Sequence, residues 1–274
     1  MYLFLSYQQT PIVLMHGSDD NKTSMENIKL WLEQTIPNVY IKNCEVGNGY
    51  NDSIYMPMND QIHELATCIQ NDKILSLGFY GIGYSLGGYL MRGYLQMYNQ
   101  PRLKRLITFA APHGGQFCGK THKCGEILSK MTAEEIYSEK IQNSLAESAC
   151  WRDPFNMDLF TEKSTSLNYL DNVKDFNQTY KDNFISLELL VLYGSSKDKI
   201  IWPWNSAWFG SYLPFNDQNM FDMTVREEYI SDLFGLKTLH EQGKIVRIDS
   251  KTKHEDYPKA EKLIKQSVSK YLKD

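Results

Sequence analysis

The chain has 274 residues, 42% of them hydrophobic and 23% charged, ordinary globular values that exclude wholesale disorder. Lys and Arg total 29 against 33 Asp and Glu, a net charge of −4 without a basic block, which argues against nucleic acid as a partner. No apolar run reaches the roughly 18 residues of a membrane span. Pro11 to Met15 reads as a buried parallel strand ending at His16-Gly17. Thr23-x-x-Glu26 reads as a capping box ahead of a helix with Ile28, Trp31 and Leu32 on its apolar stripe. Val39 to Val46 is a second predicted strand. Asp60 is the predicted cap of a helix that carries Ile62, Leu65, Ala66 and Ile69.

Phe79 to Gly83 is a glycine-rich strand, Leu86 to Tyr98 a helix and Leu106 to Ala110 another strand. From residue 112 to about 183 the alternation stops, and the only clear feature is an amphipathic helix marked by Tyr137, Ile141 and Leu145. Leu187 to Tyr193 restores the sheet, Lys244 to Ile248 is its last strand, and Ala260 to Leu272 a closing helix. Strands alternating with helices predict one α/β domain over residues 1–274, a doubly wound, mostly parallel sheet. The stretch 112–183 is expected to be an inserted, mainly helical cap.

Gly83-Tyr84-Ser85-Leu86-Gly87 matches G-x-S-x-G between a predicted strand and a predicted helix. At such an elbow the serine takes a strained backbone conformation, the flanking glycines avoid clashes, and the hydroxyl stands at the carboxyl edge of the sheet. A serine hydroxyl is a poor nucleophile at neutral pH, so it needs a base oriented by an acid. In this arrangement the chain order is Ser, acid, His, each partner in a loop after a later strand. His113, His122, His240 and His254 follow Ser85. His254 alone lies beyond the last strand and before the closing helix, where the base belongs. His240 reads as a surface residue of a helix. Asp198 follows the strand ending at Tyr193 and is the expected acid, whereas Asp171, Asp175 and Asp182 follow no strand. The oxyanion donors expected are the N–H groups of Leu86 and, in the loop after the first strand, Ser18. This chemistry calls for no cofactor and no metal.

Five cysteines stand at 44, 68, 118, 124 and 150. Cys118 and Cys124 enclose a short polar loop, which suits a local disulfide or, with His122, a zinc site for which no fourth ligand is evident. Asn21, Asn51 and Asn177 head Asn-x-Ser/Thr sequons, which matter only in the secretory pathway. Tyr2 to Leu5 is apolar but too short for a complete signal peptide, so either a leader is missing ahead of Met1 or the protein is cytosolic.

With these residues in view, the chain resembles the palmitoyl-protein thioesterase family of α/β-hydrolases from about Pro11 to its C-terminus. The resemblance is carried by Trp151-Arg152-Asp153-Pro154, Leu170-Asp171-Asn172-Val173, Asp198-Lys199-Ile200-Ile201-Trp202-Pro203, Trp208-Phe209-Gly210 and Leu233-Phe234-Gly235-Leu236-Lys237, in family order. It implies a glycosylated hydrolase of the lysosome lumen, or a secreted one, that removes long fatty acyl groups from S-acylated proteins or peptides. The same Ser85, Asp198 and His254 would do the chemistry. It also implies a Cys118–Cys124 bridge and a glycan at Asn177. Departures are Asp19 where the family loop has a second glycine, and no cysteine after the elbow helix to pair with Cys68, so that this family bridge is absent. Cys44 and Cys150 have no evident family partner. Trp202, Trp204, Trp208 and Phe209 are candidates for an acyl groove or simply core. The alternatives are an acyl-CoA thioesterase or lipid esterase with the same triad, and a non-catalytic lipid-binding protein on a hydrolase scaffold.

Overall fold

In the computed structural model, residues 9–119 and 127–273 are described. Six strands form one parallel sheet: β1 (Ile12–Met15), β2 (Ile41–Cys44), β3 (Phe79–Tyr84), β4 (Leu103–Phe109), β5 (Leu189–Gly194) and β6 (Ile245–Asp249). Their order is β2-β1-β3-β4-β5-β6. The chain steps outward from β1 to β2, then returns to the other side of β1 and continues the opposite way. The reversal falls between β1 and β3, so the loops leaving these two strands meet at the carboxyl edge, where such sheets bind ligands.

Strand alternation sorts the core onto two faces. Ile12 and Leu14 of β1 join Tyr80, Ile82, Ile107, Phe109, Val191 and Tyr193 on one face, under α1 (Glu26–Thr35) and the C-terminal turns. Val13 and Met15 join Phe79, Leu106, Leu190 and Leu192 on the other. That second face is covered by α3 (Met58–Gln70), which follows the short α2 (Tyr50–Tyr55), and by α4 (Leu86–Met97). All four β1 side chains are buried, which is why the strand reads as a continuous apolar run.

Several local expectations are corrected. Asn21, not Thr23, accepts the capping bond, from Thr23 N at 2.9 Å, and it opens a 3-10 turn that leads into α1. Helix α3 begins at Met58 behind Pro57, so Asp60 lies inside its first turn, where it favours the helix dipole without capping it. The predicted helix through Tyr137, Ile141 and Leu145 is broken into α5 (Ala133–Ile136) and α6 (Glu139–Gln142). The Ser138 hydroxyl caps the second piece at Ile141 N, which competes with continuation of the first. Short helices α7 (Met157–Lys163), α8 (Leu167–Leu170) and α9 (Gln178–Ile185) fill the rest of this stretch. Between β4 and β5 the described residues contain no named strand. The closing helix winds irregularly over 261–271, yet Ile264, Val268 and Leu272 keep the predicted apolar side buried.

Cys44, at the end of β2, is disulfide-bonded to Cys68 in α3, with Cα atoms 6.2 Å apart. Because α3 packs beside β2, the cysteine for which no partner was evident supplies the one Cys68 lacks after the elbow. Cys118 is buried and disulfide-bonded. Cys124 and His122 lie outside the described residues, as does the segment Tyr2 to Leu5. Cys150 is free and buried.

Candidate active site

Ser85 sits between β3 and α4 with φ 53° and ψ −127°, a left-handed conformation that costs a non-glycine residue on the order of 1–3 kcal/mol. The surrounding structure enforces it. Its N–H donates to Phe109 O at 2.7 Å. A Cβ on Gly87 would lie 2.2 Å from His16 O, and one on Gly83 2.4 Å from the Gly88 backbone. Any side chain at these two positions would push the strand and helix apart, so the elbow requires glycine there. Leu86 is the first residue of α4, so its N–H has no intrahelical acceptor.

His254 and Asp198 converge on this serine from the loops after β6 and β5. His254 Nε2 lies 3.0 Å from Ser85 Oγ, and His254 Nδ1 lies 2.8 Å from Asp198 Oδ2. With the Nδ1 proton donated to the carboxylate, Nε2 presents its lone pair to the hydroxyl. Asp198 Oδ1 accepts from Ile200 N at 2.8 Å and Ile201 N at 3.0 Å, so the acid cannot swing away from the ring. Tyr84 Oη donates to His254 O at 3.1 Å, and the two rings sit 5.3 Å apart. The acid and base loops are also tied to each other, because Asp249 accepts from Ser196 Oγ at 3.1 Å and pairs with Lys251 at 2.6 Å. Asp198 and His254 are both buried, at 2% and 6% exposure, and Ser85 is at 9%, so the chain of bonds is shielded but reachable.

The loop after β1 is the fourth wall. A Cβ on Gly17 would sit 2.9 Å from Ser85 Cβ, which places this backbone directly against the serine. His16 stiffens the turn: Nδ1–H donates to Gly17 O at 2.8 Å and Nε2 accepts from Val46 N at 3.2 Å. Burial lowers the His16 pKa and keeps the ring neutral, as the accepting Nε2 requires. Ser18 Oγ donates to Ser53 O at 3.2 Å, anchoring the loop to α2. Asp19 takes φ 58°, the left-handed position that a glycine would fill most easily. Glu147, half-buried, faces this loop. Burial pushes its carboxyl above the usual range, the Asp19 charge adds to that, and a hydrogen bond with Ser18 opposes it. Neither Glu147 nor Tyr84 stood out in the sequence. Tyr84 is the variable position of the pentapeptide, and Glu147 reaches the site only through tertiary folding.

The other signature residues gather away from Ser85. Asp171 accepts from Arg92 Nη2 at 2.6 Å and from Arg226 Nη2 at 2.7 Å, and Glu228 bridges Arg226 and Arg152 at 3.1 and 3.0 Å. Arg92, on the elbow helix, lies over the rings of Phe209 and Phe234 at 5.0 and 4.6 Å, and the two rings sit 5.8 Å from each other. Phe209 is fully buried and stacks on His113, so it belongs to the core and not to an acyl groove. His240 is partly buried in its predicted helix and bonds Tyr229 Oη at 2.7 Å. A cavity of about 720 Å³ between α3, α4 and the 112–183 segment is lined by Met97, Tyr137, Ser166 and Tyr169. None of Ser85, Asp198 or His254 lines it.

Residues 11–254 match the family model described as palmitoyl protein thioesterase. Palmitoyl-protein thioesterase 3 of Dictyostelium discoideum is 36% identical over 249 residues, 90% of this chain and 86% of that protein. A Drosophila melanogaster protein named lysosomal thioesterase PPT2 homolog is 28% identical over 88% of this chain and 84% of its own. An extracellular α/β-hydrolase from a Paenibacillus species, 17% identical, superposes with TM-score 0.52 over 97% of this chain and 100% of that one, a likeness of fold. The chain therefore has the α/β-hydrolase fold and belongs to the palmitoyl protein thioesterase family.

Proposed function

We propose that this protein is a serine thioesterase that removes long-chain fatty acyl groups, palmitoyl among them, from cysteine thioesters of proteins or peptides. The observation that carries the proposal is the unbroken chain of hydrogen bonds from Ser85 through His254 to Asp198. In the proposed reaction His254 Nε2 takes the Ser85 proton as Oγ attacks the thioester carbonyl. Asp198 holds the ring in the required tautomer and stabilises its positive charge. The oxyanion is received by the N–H groups of Leu86 and Ser18. Collapse expels a thiolate whose conjugate acid has a pKa of about 8.5, a better leaving group than an amine. His254 returns the proton, and water, activated by the same ring, releases the fatty acid.

Residues 112–183 are proposed as the cap that shelters the acyl chain. The site is proposed to work in the lysosome lumen or outside the cell. Support comes from the Cys44–Cys68 disulfide, which needs an oxidising compartment, and from the relative named a lysosomal thioesterase. Asn21, Asn51 and Asn177 are the proposed glycan sites. Asn177 Oδ1 caps α9 at Thr179 N, 2.9 Å away, and a glycan on Nδ2 would leave that cap in place.

The deciding experiment is turnover of a palmitoyl-thioester peptide by wild type, Ser85→Ala, Asp198→Ala and His254→Ala, each checked for folding. Losses of about 10³-fold or more are expected from each, with double variants little worse than singles. Near-normal turnover in Ser85→Ala would end the proposal. Preference for acyl-CoA over S-acyl peptide would shift it to the acyl-CoA thioesterase reading.

A further inference from the structure

The loop after β1 concentrates its strain at Asp19, whose φ of 58° a non-glycine residue keeps only where its surroundings over-determine it. Its carboxylate is exposed and faces the exposed Tyr50, which leaves the holding to the residues on either side. Both of these bond the same residue. Ser18 Oγ donates to Ser53 O at 3.2 Å, and Asp20 N donates to Ser53 Oγ at 3.4 Å. Ser53 lies in α2 and is buried. Its hydroxyl donates to Tyr50 O at 2.7 Å, which turns the oxygen lone pairs toward Asp20. Its carbonyl is fixed from the other side by Gln61 Nε2 at 3.1 Å, and the same buried amide also holds Asp52 O and Met56 O at 3.2 and 2.9 Å. Upstream, His16 is held by Val46 N, two residues beyond Cys44. Residues 16, 18 and 20 are thus pinned to one segment, 46–53, and that segment is tied to α3 at both ends, through the Cys44–Cys68 bridge and through Gln61. A serine serving α2 alone would need only the bond to Tyr50, but Ser53 also spends its accepting side on the loop.

We infer that Ser53 is a positioning residue for the proposed reaction: by accepting on both of its oxygens from the residues that flank Asp19, it holds the Ser18 N–H where the oxyanion forms. Gly17 lies against Ser85, so a shift in this loop is a shift of Ser18 relative to the reacting carbonyl. A preorganised donor acts on charge that develops only in the transition state, and its worth falls when its orientation is lost. Slackening the clamp therefore lowers kcat and leaves KM in place. The clamp also supplies the restraint by which an aspartate stands where a glycine would fit most easily. Without it, Asp19 would relax toward negative φ and carry Ser18 with it. The inference rests on the reading of Ser18 as an oxyanion donor, and on the thioesterase reading only for the choice of substrate.

The test compares wild type with Ser53→Ala, both checked for folding, in two assays. One is turnover of a palmitoyl-thioester peptide, and the other is the rate at which an alkyl fluorophosphonate labels Ser85. In the labelling step Oγ bonds phosphorus, fluoride leaves and the proton passes to His254, so the phosphoryl oxygen draws on the same donors whatever acyl substrate the enzyme prefers. Ser53→Ala should lower kcat and the labelling rate by about fivefold, the worth of one such hydrogen bond, with KM within about twofold. Adding Asp19→Gly should restore both rates to within about twofold of wild type, because glycine holds a positive φ unaided. Adding Asp19→Ala instead, which also removes the carboxylate but keeps the strain, should not. Ser53→Ala deletes the Asn51 sequon as well, so Asn51→Gln, which deletes it and keeps the hydroxyl, is the control and should match wild type. Should Ser53→Ala fail to fold, Ser18→Ala breaks the other bond, leaves the Ser18 N–H in place and carries the same expectations. Normal kcat and labelling in the folded variant would overturn the inference. So would a loss confined to KM, equal rescue by Gly and Ala at position 19, or a matching loss in Asn51→Gln. Wild type labelled at Ser85 but inactive on acyl thioesters would end the thioesterase reading, while the labelling rates still decide this one. Wild type that neither labels nor turns over would end both.

Discussion

Replacing Asp171 by Asn tests the buried charge cluster that joins the elbow helix to the rest of the molecule. Both carboxylate oxygens of Asp171 are committed, one to Arg92 at 2.6 Å and one to Arg226 at 2.7 Å, and the side chain is 0% exposed. Arg92, Arg152 and Arg226 face Asp171 and Glu228, so the cluster carries one excess positive charge. The neutral amide would leave two, and would turn an N–H₂ toward a guanidinium that needs an acceptor. Removing one partner of a buried ion pair costs about 3–5 kcal/mol. Unfolding entropy of ~2.1 cal/mol/K per residue over 274 residues converts this to a fall in Tm of about 5–9 °C. Urea and thermal unfolding would measure it, with exposed Asp182→Asn as a control expected within about 0.5 kcal/mol of wild type. Added salt should leave the difference unchanged, because buried pairs are little screened. Activity per folded molecule should stay within about threefold, since none of these groups touches Ser85, His254 or Asp198. A loss under about 1 kcal/mol would refute the reasoning that this carboxylate neutralises desolvated arginines.

Glu147 supplies a pH test. Burial raises its carboxyl pKa in the folded state, so the native protein holds a proton longer than the unfolded chain, and stability falls as pH rises from the ordinary glutamate range through the raised value. Glu147→Gln should remove that decline, raising Tm at neutral pH relative to wild type and not at acid pH, while a uniform shift at all pH values would refute the assignment. Separating Cys44 from Cys68 by a double Ser substitution should destabilise by about 3.5 kcal/mol, the loop-entropy value for a separation of 24 residues, and unchanged urea midpoints would contradict it. For acyl chain length, kcat/KM should climb from butyryl through octanoyl to palmitoyl thioesters at up to ~0.8 kcal/mol per CH₂, with part of the gain in kcat. A preference for short chains, assayed below micelle concentrations, would replace the depalmitoylase reading with a general esterase.

Fold class and the three converging residues were legible because local chemistry announces them. Ile12 to Met15 are all buried, and a strand buried on both faces must be apolar throughout. The elbow needs glycine at 83 and 87 because Gly88, His16 and Met15 crowd them, so the motif is a direct imprint of close packing. Asp198 and His254 are legible from their places beyond strand ends, since a parallel sheet delivers every such loop to one edge. Helix boundaries were less legible where side chains compete for the same backbone groups, as Asn21 does with Thr23, and as Ser138 does against a continuous helix.

What lies far apart in the chain was decided by the tertiary structure alone. Cys44 meets Cys68 because α3 returns beside β2, and no spacing rule encodes that approach. Asp171 stands in a family signature and follows no strand, but its role as a buried counter-ion shows only when Arg92 and Arg226, 79 and 55 positions away, close on it. Glu147 reaches the loop at Ser18 in the same way. Burial and charge pairing between distant residues depend on how helices and loops stack on the finished sheet, and periodicity in the sequence records only which side of each element is apolar.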